Sequence, residues 1–125
     1  MTSKVEVFHI KPIHKDERRD LTEIFNGIFE AKQLKMLKIN KDSILGNHYH
    51  PYRQFFYMLK GKAEYCFQDI LTAEKFEFDI KKGDLVIIEG YIAHKAKQKK
   101  GNIMIEGNEE KYSSPQIDDL KWEIK

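Results

Sequence analysis

The sequence predicts a single all-β domain, and three observations carry that expectation. Its 125 residues suit one domain over 1–125, because domains commonly run to roughly 100–150 residues. Short segments alternate apolar and polar residues with the period of a half-buried strand. Turn residues separate these segments every roughly eight to twelve positions, a spacing that favours a sandwich or barrel over alternating strands and helices.

Taken in order, Val5, Phe8 and Ile10 suggest an entering strand, and residues 15–20 form a charged turn. Residues 33–39 fit either an amphipathic helix or a strand; direct continuity into residues 42–46 favours the strand. Lys60-Gly61 reads as a tight hairpin turn into residues 62–68, where Ala63, Tyr65 and Phe67 share a face. In residues 74–80, Phe76, Phe78 and Ile80 share one face, with Glu77 and Asp79 opposite. A turn at residues 81–84 leads to the apolar run 85–88. Ile92, His94 and Ala96 then share a face that Lys95 and Lys97 do not, which places His94 on the inward side. Gly101-Asn102 turns the chain into residues 103–105. The tail after Tyr112 carries Pro115 and reads as a strand or a short helix, with Trp122 as a packing anchor. Phe55, Phe56, Phe67, Phe76 and Phe78 are expected to fill the barrel core, and Cys66, between Tyr65 and Phe67, to be buried without a catalytic role.

Composition excludes several classes of function. Apolar residues make up 41% and charged residues 34%, with 22 Lys plus Arg against 20 Asp plus Glu, a net charge of +2. So small an excess argues against a dedicated nucleic-acid binder, and the run of lysines at 95, 97, 99 and 100 reads as a solvated strand end. The longest apolar run, Phe55 to Leu59, is five residues, far short of the roughly 20 needed to span a bilayer. The start, Met1-Thr2-Ser3-Lys4-Val5-Glu6, lacks a signal-peptide core, and the single cysteine leaves no internal disulfide, so a cytoplasmic address is expected.

The chemistry concentrates in His48-Tyr49-His50. In a strand, residues i and i+2 point to one face roughly 6.6 Å apart, which lets two imidazoles converge on one metal ion or one substrate. His9 and His14 lack such company and read as surface or packing residues. Gln54 lies four residues after His50, and Gly61 follows. Further on, Gly83 precedes His94, with Glu89-Gly90-Tyr91 just before it.

These residues resemble the two motifs of the cupin superfamily, an HxH followed by an acid and a glycine, and a Gly-initiated second motif ending in histidine. The resemblance covers residues 46–94 and implies a jelly-roll barrel, a double-stranded β-helix. By position it also implies a metal set of His48, His50, Gln54 and His94 for one divalent transition metal (Zn, Fe, Ni or Mn), which the ligands do not select among. Gln54 stands where the family has an acid, so a neutral amide would hold the ion. Glu89 and Tyr91 replace the Pro and second Gly of the second motif.

Gly46-Asn47-His48-Tyr49-His50, the run 54–57 and Lys60-Gly61 are similar to the small cupins of bacterial surface-sugar synthesis, the sugar-nucleotide 3,4-ketoisomerases and capsular polysaccharide enzymes. Asn108 to Tyr112 resembles their closing segment, and Asp16 to Asp20 their early Asp-x-Arg-Gly, although Arg19 stands at its Gly and Leu45 at the Arg of their R-G-x-H-x-H start. The resemblance implies keto-isomerisation or epimerisation of a nucleotide-linked sugar through an enediol, with His48 or His50 as the base. Tyr49, Tyr57, Tyr65 or Tyr91 would donate to the oxygen that gains charge, Tyr57 and Tyr91 being placed with the substrate. Arg53 and Arg18 are the candidate diphosphate ligands, since a guanidinium binds phosphate in a bidentate way. A homodimer is expected, because small barrels hide their edges by pairing. Two other readings stand beside this one: a metal-dependent dioxygenase around His48, His50 and His94, and a non-catalytic cupin that binds a small ligand.

Overall fold

The computed structural model describes residues 4–125. Residues 1–3, where the reading against a signal peptide begins, lie outside the described residues. The elements run β1 (Val5–His9), β2 (His14–Lys15), β3 (Asp20–Leu21), β4 (Gln33–Lys38), β5 (Ser43–Tyr49), β6 (Gln54–Lys60) and β7 (Lys62–Asp69). They continue with β8 (Lys75–Lys81), β9 (Asp84–Ile88), β10 (Ile92–Gln98), β11 (Ile103–Asn108), α1 (Pro115–Asp118) and β12 (Leu120–Lys121).

Two five-stranded antiparallel sheets, ordered β1-β9-β6-β11-β4 and β12-β5-β10-β7-β8, form a jelly-roll sandwich, and β2-β3 is a small separate hairpin. The core fills the space between the sheets. Phe56, Met58, Val86, Ile88 and Met104 of the first sheet meet Ala63, Tyr65, Phe67, Ile80, Ile92 and Ala96 of the second. Period-two alternation in β7, β8 and β10 produces this arrangement directly, since each strand turns one face inward.

The runs 55–58 and 85–88 are buried on both faces. A second cluster explains why: Phe29, with Ile24 and Phe25 from the segment between β3 and β4, covers the outer face of the first sheet at Phe55, Tyr57, Leu85 and Ile87. Phe55 therefore packs outside the barrel rather than in its core, with its ring edge-on to Phe25 at 5.0 Å and to Phe29 at 5.2 Å. Phe76 and Phe78 are only partly buried, at the margin of the core. Cys66 faces outward and is half-buried, which corrects its expected burial. Residues 33–39 are a strand, β4, and the tail realises both of its alternatives, a short helix followed by a strand. Trp122 packs as expected, its ring 6.5 Å from Tyr49 and its indole N–H donating to Gln68 at 2.8 Å.

Candidate functional site

β5 carries His48 and delivers His50 just past its end, β10 carries His94, and Gln54 opens β6. The register pairs His94 with His48 directly, and a bulge follows at once between His94 and Lys95. Gly46 makes that close crossing possible. Its φ is +105°, and a Cβ there would lie 2.4 Å from the His94 carbonyl oxygen. Any other residue would push β5 away from β10 beside the histidines.

The imidazoles converge. Ring centroids lie 4.6 Å apart for His48 and His94, 5.0 Å for His48 and His50, and 5.6 Å for His50 and His94. One ring nitrogen of each lies within 4.8 Å of the others. His50 Nδ1 is 2.6 Å from the Asp118 carbonyl oxygen. A carbonyl only accepts, so Nδ1 carries the hydrogen and Nε2 is left with a lone pair. That Nε2, His94 Nε2 and Gln54 Oε1 are all buried with no hydrogen-bond partner in the protein. Three unsatisfied buried polar atoms around one cavity are costly unless a ligand completes them.

The tail holds His50 in place. The Asp118 carboxylate accepts from the Ser113 and Ser114 amides and from Tyr52 Oη, which fixes the segment whose carbonyl meets His50. Asp119 Oδ1 lies 3.3 Å from His50 Nδ1. Asn47 ties down the rest, its carbonyl accepting from Trp122 N and its side chain from Ile124 N.

Burial pushes the pKa of all three histidines below the ordinary imidazole value, with His94 well below it. Asp119 opposes this at His48 and His50, while the positive charge of Lys35 reinforces it at all three. The cluster is therefore neutral at neutral pH, as a base or a metal ligand must be.

A cavity of about 180 Å³ opens onto these groups, lined also by Lys35, Leu45, Tyr65, Gln98, Glu106 and Asp119. Of the residues expected at the site, His48, His50, Gln54 and His94 line it, and Arg18, Arg53, Tyr57 and Tyr91 do not. Arg18 is exposed in the β2-β3 turn, 3.3 Å from Asp16. Arg53 is 3.0 Å from Glu89, with its guanidinium 5.3 Å over the Phe29 ring. Strand parity turns Tyr57 into the outer cluster. Tyr91 is exposed, at φ +65°, with its ring 6.0 Å from Tyr49 and its amide donating to the His50 carbonyl at 2.8 Å. Among the tyrosines named as donors, Tyr65 lines the cavity, its hydroxyl donating to Met104 Sδ and accepting from Gln98.

Lys35, Glu106 and Asp119 were missed by the sequence reading. Glu106 had a usable signal: it is the one charge in the apolar stretch 103–107, at an inward position. Lys35 and Asp119 carried none, since apolar residues flank Lys35 on both faces and Asp119 sits in the tail.

Comparison with known proteins places the chain. No curated protein matches it. Among solved structures, a variant of the 3,4-ketoisomerase QdtA from Thermoanaerobacterium thermosaccharolyticum, in complex with TDP-4-keto-6-deoxyglucose, is 20% identical, with a TM-score of 0.78 over 96% of this chain and 88% of that one. The WlaRB TDP-quinovose 3,4-ketoisomerase from Campylobacter jejuni is 15% identical, with a TM-score of 0.82 over 96% and 94% of the two chains. The dTDP-4-dehydrorhamnose 3,5-epimerase from Sulfolobus tokodaii is 17% identical, with a TM-score of 0.79 over 94% and 77%. These similarities establish the jelly-roll fold. The family model described as the polysaccharide biosynthesis C-terminal domain matches residues 14–109, well over half of the sequence, and the chain belongs to that family.

Proposed function

We propose that this protein moves a keto group, or inverts the carbon beside it, in a sugar carried on a nucleoside diphosphate. The observation that carries the reading is the His50 geometry: Nδ1–H bound to the Asp118 carbonyl, and a bare Nε2 facing the cavity beside His48 and His94. A neutral imidazole held in one tautomer is suited to take a proton from carbon. His48 or His50 removes the C–H proton beside the carbonyl, and that electron pair becomes the C=C bond of an enediolate while the carbonyl pair moves onto oxygen. For isomerisation, the neighbouring hydroxyl gives up its proton as the former carbonyl carbon receives one, and the two oxidation states exchange with no external oxidant. For epimerisation, the proton returns to the original carbon from the other face. Asp119, 3.3 Å from His50, stabilises the imidazolium formed in between.

A cavity of about 180 Å³ is smaller than the roughly 300–1,000 Å³ of sites that enclose a drug-sized ligand. It suits one sugar ring, with the nucleotide outside. Arg18 and Arg53 remain the diphosphate candidates only if they leave Asp16 and Glu89. The solved relatives whose descriptions name TDP-sugars lend this substrate class support.

The unsatisfied nitrogens and Gln54 Oε1 favour a second reading, a metal-assisted version of the site. The donor set, three neutral imidazoles and an amide oxygen, fits a divalent transition metal held by His48, His50, His94 and Gln54. Such an ion would supply Lewis-acid polarisation of the keto oxygen.

The test is solvent-deuterium incorporation into TDP-4-keto-6-deoxyglucose, followed by NMR, alongside metal analysis of protein purified without chelator. His50→Ala is expected to slow incorporation by about 10²–10⁴-fold with the fold intact. Incorporation at the parent rate would overturn the assignment. About one equivalent of metal, lost in His50→Ala, would select the metal-assisted reading.

A further inference from the structure

The reaction just proposed builds negative charge on the keto oxygen, and the histidine that takes the proton is directed at carbon, so that oxygen still has no assigned donor. We infer that Lys35 is the electrophilic catalytic residue of this site, binding the keto oxygen and stabilising the enediolate, with Glu106 positioning its ammonium. This inference rests on the proposed function and names a residue that function leaves unassigned.

Among the described residues lining the cavity, Lys35 is the one lysine or arginine. Its direction follows from parity. β4 alternates half-buried Gln33, Lys35 and Leu37 with exposed Leu34, Met36 and Lys38. Exposing Leu34 and Met36 at 68% and 72% while turning a lysine inward inverts the usual partition of residue types. Such a reversal marks a position held for its charge rather than for packing.

The cross-strand neighbour explains how the charge is kept there. Register places Glu106 of β11 opposite Lys35, and Phe56 of β6 on the other side of Glu106. Glu106 is half-buried, and desolvation pushes its carboxyl pKa up, against the pull of Lys35. Lys35 Nζ lies 3.8 Å from Glu106 Oε2, beyond hydrogen-bond reach. The ion pair anchors the ammonium electrostatically while leaving its N–H donors uncommitted. Lys35 lines the same cavity as His48, His50 and His94, and its positive charge acts on all three. Base and electrophile thus approach the same cavity from opposite sheets, His48 and His94 from β5 and β10, Lys35 and Glu106 from β4 and β11. A substrate carbonyl between them gives up its α-proton to a histidine and directs its growing oxyanion toward Lys35. The C–H electron pair becomes the C=C bond, and the carbonyl pair rests on the oxygen that Lys35 N–H groups hold.

The experiment uses deuterium incorporation into TDP-4-keto-6-deoxyglucose by the full chain, with kcat and KM measured separately and thermal melting as a fold control. Lys35→Met is expected to lower kcat by about 10²–10³-fold, as loss of one oxyanion donor does, with a much smaller change in KM. Lys35→Arg, which keeps a cation, is expected to recover part of that loss. The Lys35→Met/Glu106→Gln double variant removes the stranded carboxylate and is expected to stay as slow as Lys35→Met. A double variant that regains parental kcat would show Lys35 to be only a counter-charge for Glu106, and the inference would fall. Lys35→Met within about threefold of the parent in kcat would overturn it equally. A parent protein that incorporates no deuterium would sink the proposed function itself and the inference with it, an outcome distinct from the other two.

Discussion

Three rungs cross the inner face of the same three strands, β4, β11 and β6, and the two outer rungs have opposite characters. Leu37, Met104 and Met58 form one; Gln33, Asn108 and Gln54 form the other; Lys35, Glu106 and Phe56 lie between them. Met58 and Met104 are fully buried in the apolar core. In the polar rung, Asn108 Nδ2 donates to Gln33 Oε1 at 2.5 Å, while Gln54 Oε1 and Asn108 Oδ1 have no partner. Four residues along a strand are about 13 Å, and over that distance the interior passes from packing to chemistry. The same three strands pair through all three rungs, with one irregularity between Ile103 and Met104 next to the apolar rung, so position along the strands decides which end reacts. The apolar end stabilises the fold, and the polar end carries the cost of buried, unsatisfied groups.

The largest expected effect tests the apolar end. Met58→Ala should destabilise the protein by about 2–5 kcal/mol through lost burial and a residual cavity, read from the urea midpoint. A loss well below that range would mean that the two ends share the load and that the contrast between them is weaker than the packing indicates.

The contrast also explains what the sequence disclosed. β7, β8 and β10 were legible because apolar parity and glycine turns agree there, and because those strands line the packed core. His48, His50, Gln54 and His94 were legible because two short motifs carry them. β4 concealed its residue: Leu34, Met36 and Leu37 put apolar side chains on both faces, so Lys35 reads as one more surface lysine until β11 pairs with it. Asp119 reaches His50 across almost seventy residues of chain, a contact that no local pattern encodes. Tyr57 and Phe55 were misplaced because a continuous apolar run does not say which of its two faces meets the barrel.

Gly46 offers a cut between fold and site, with a smaller effect. Gly46→Ala places a methyl 2.4 Å from the His94 carbonyl at a φ of +105°. Strain of that kind costs on the order of 1–3 kcal/mol, and relief requires separating β5 from β10 at His48 and His94. Thermal melting should drop modestly while deuterium incorporation falls far more. Equal proportional losses would show that the crossing is structural only.

Acidification bears on the polar end alone over a defined range. The folded-state pKa values of His48, His50 and His94 lie below the ordinary value, about 6.5 in an unfolded chain. Below that value the unfolded chain binds protons that the folded chain refuses, so stability is complete above it and declines as pH falls toward the folded values. Urea midpoints should be flat above about pH 7 and fall as pH drops below about 6.5. His94→Gln should shallow that slope, because it removes the most strongly shifted group. The lowered carboxylates Asp69 and Asp118 contribute in the same direction only at lower pH, where they begin to protonate. An unchanged slope in His94→Gln would place the burden on His48 and His50.

The smallest change in stability should come from Gln54→Leu, and its sign is the informative part. Gln54 is as buried as Met58, so a packing account predicts damage from a change of shape. An unsatisfied buried acceptor, however, costs about 1–3 kcal/mol, and an apolar side chain of similar volume removes that penalty. The urea midpoint should therefore stay constant or rise, while any metal affinity falls and deuterium incorporation slows. A clear loss of stability would mean that the Gln54 amide is satisfied within the folded protein, and the polar rung would then be structure rather than a place kept open for a ligand.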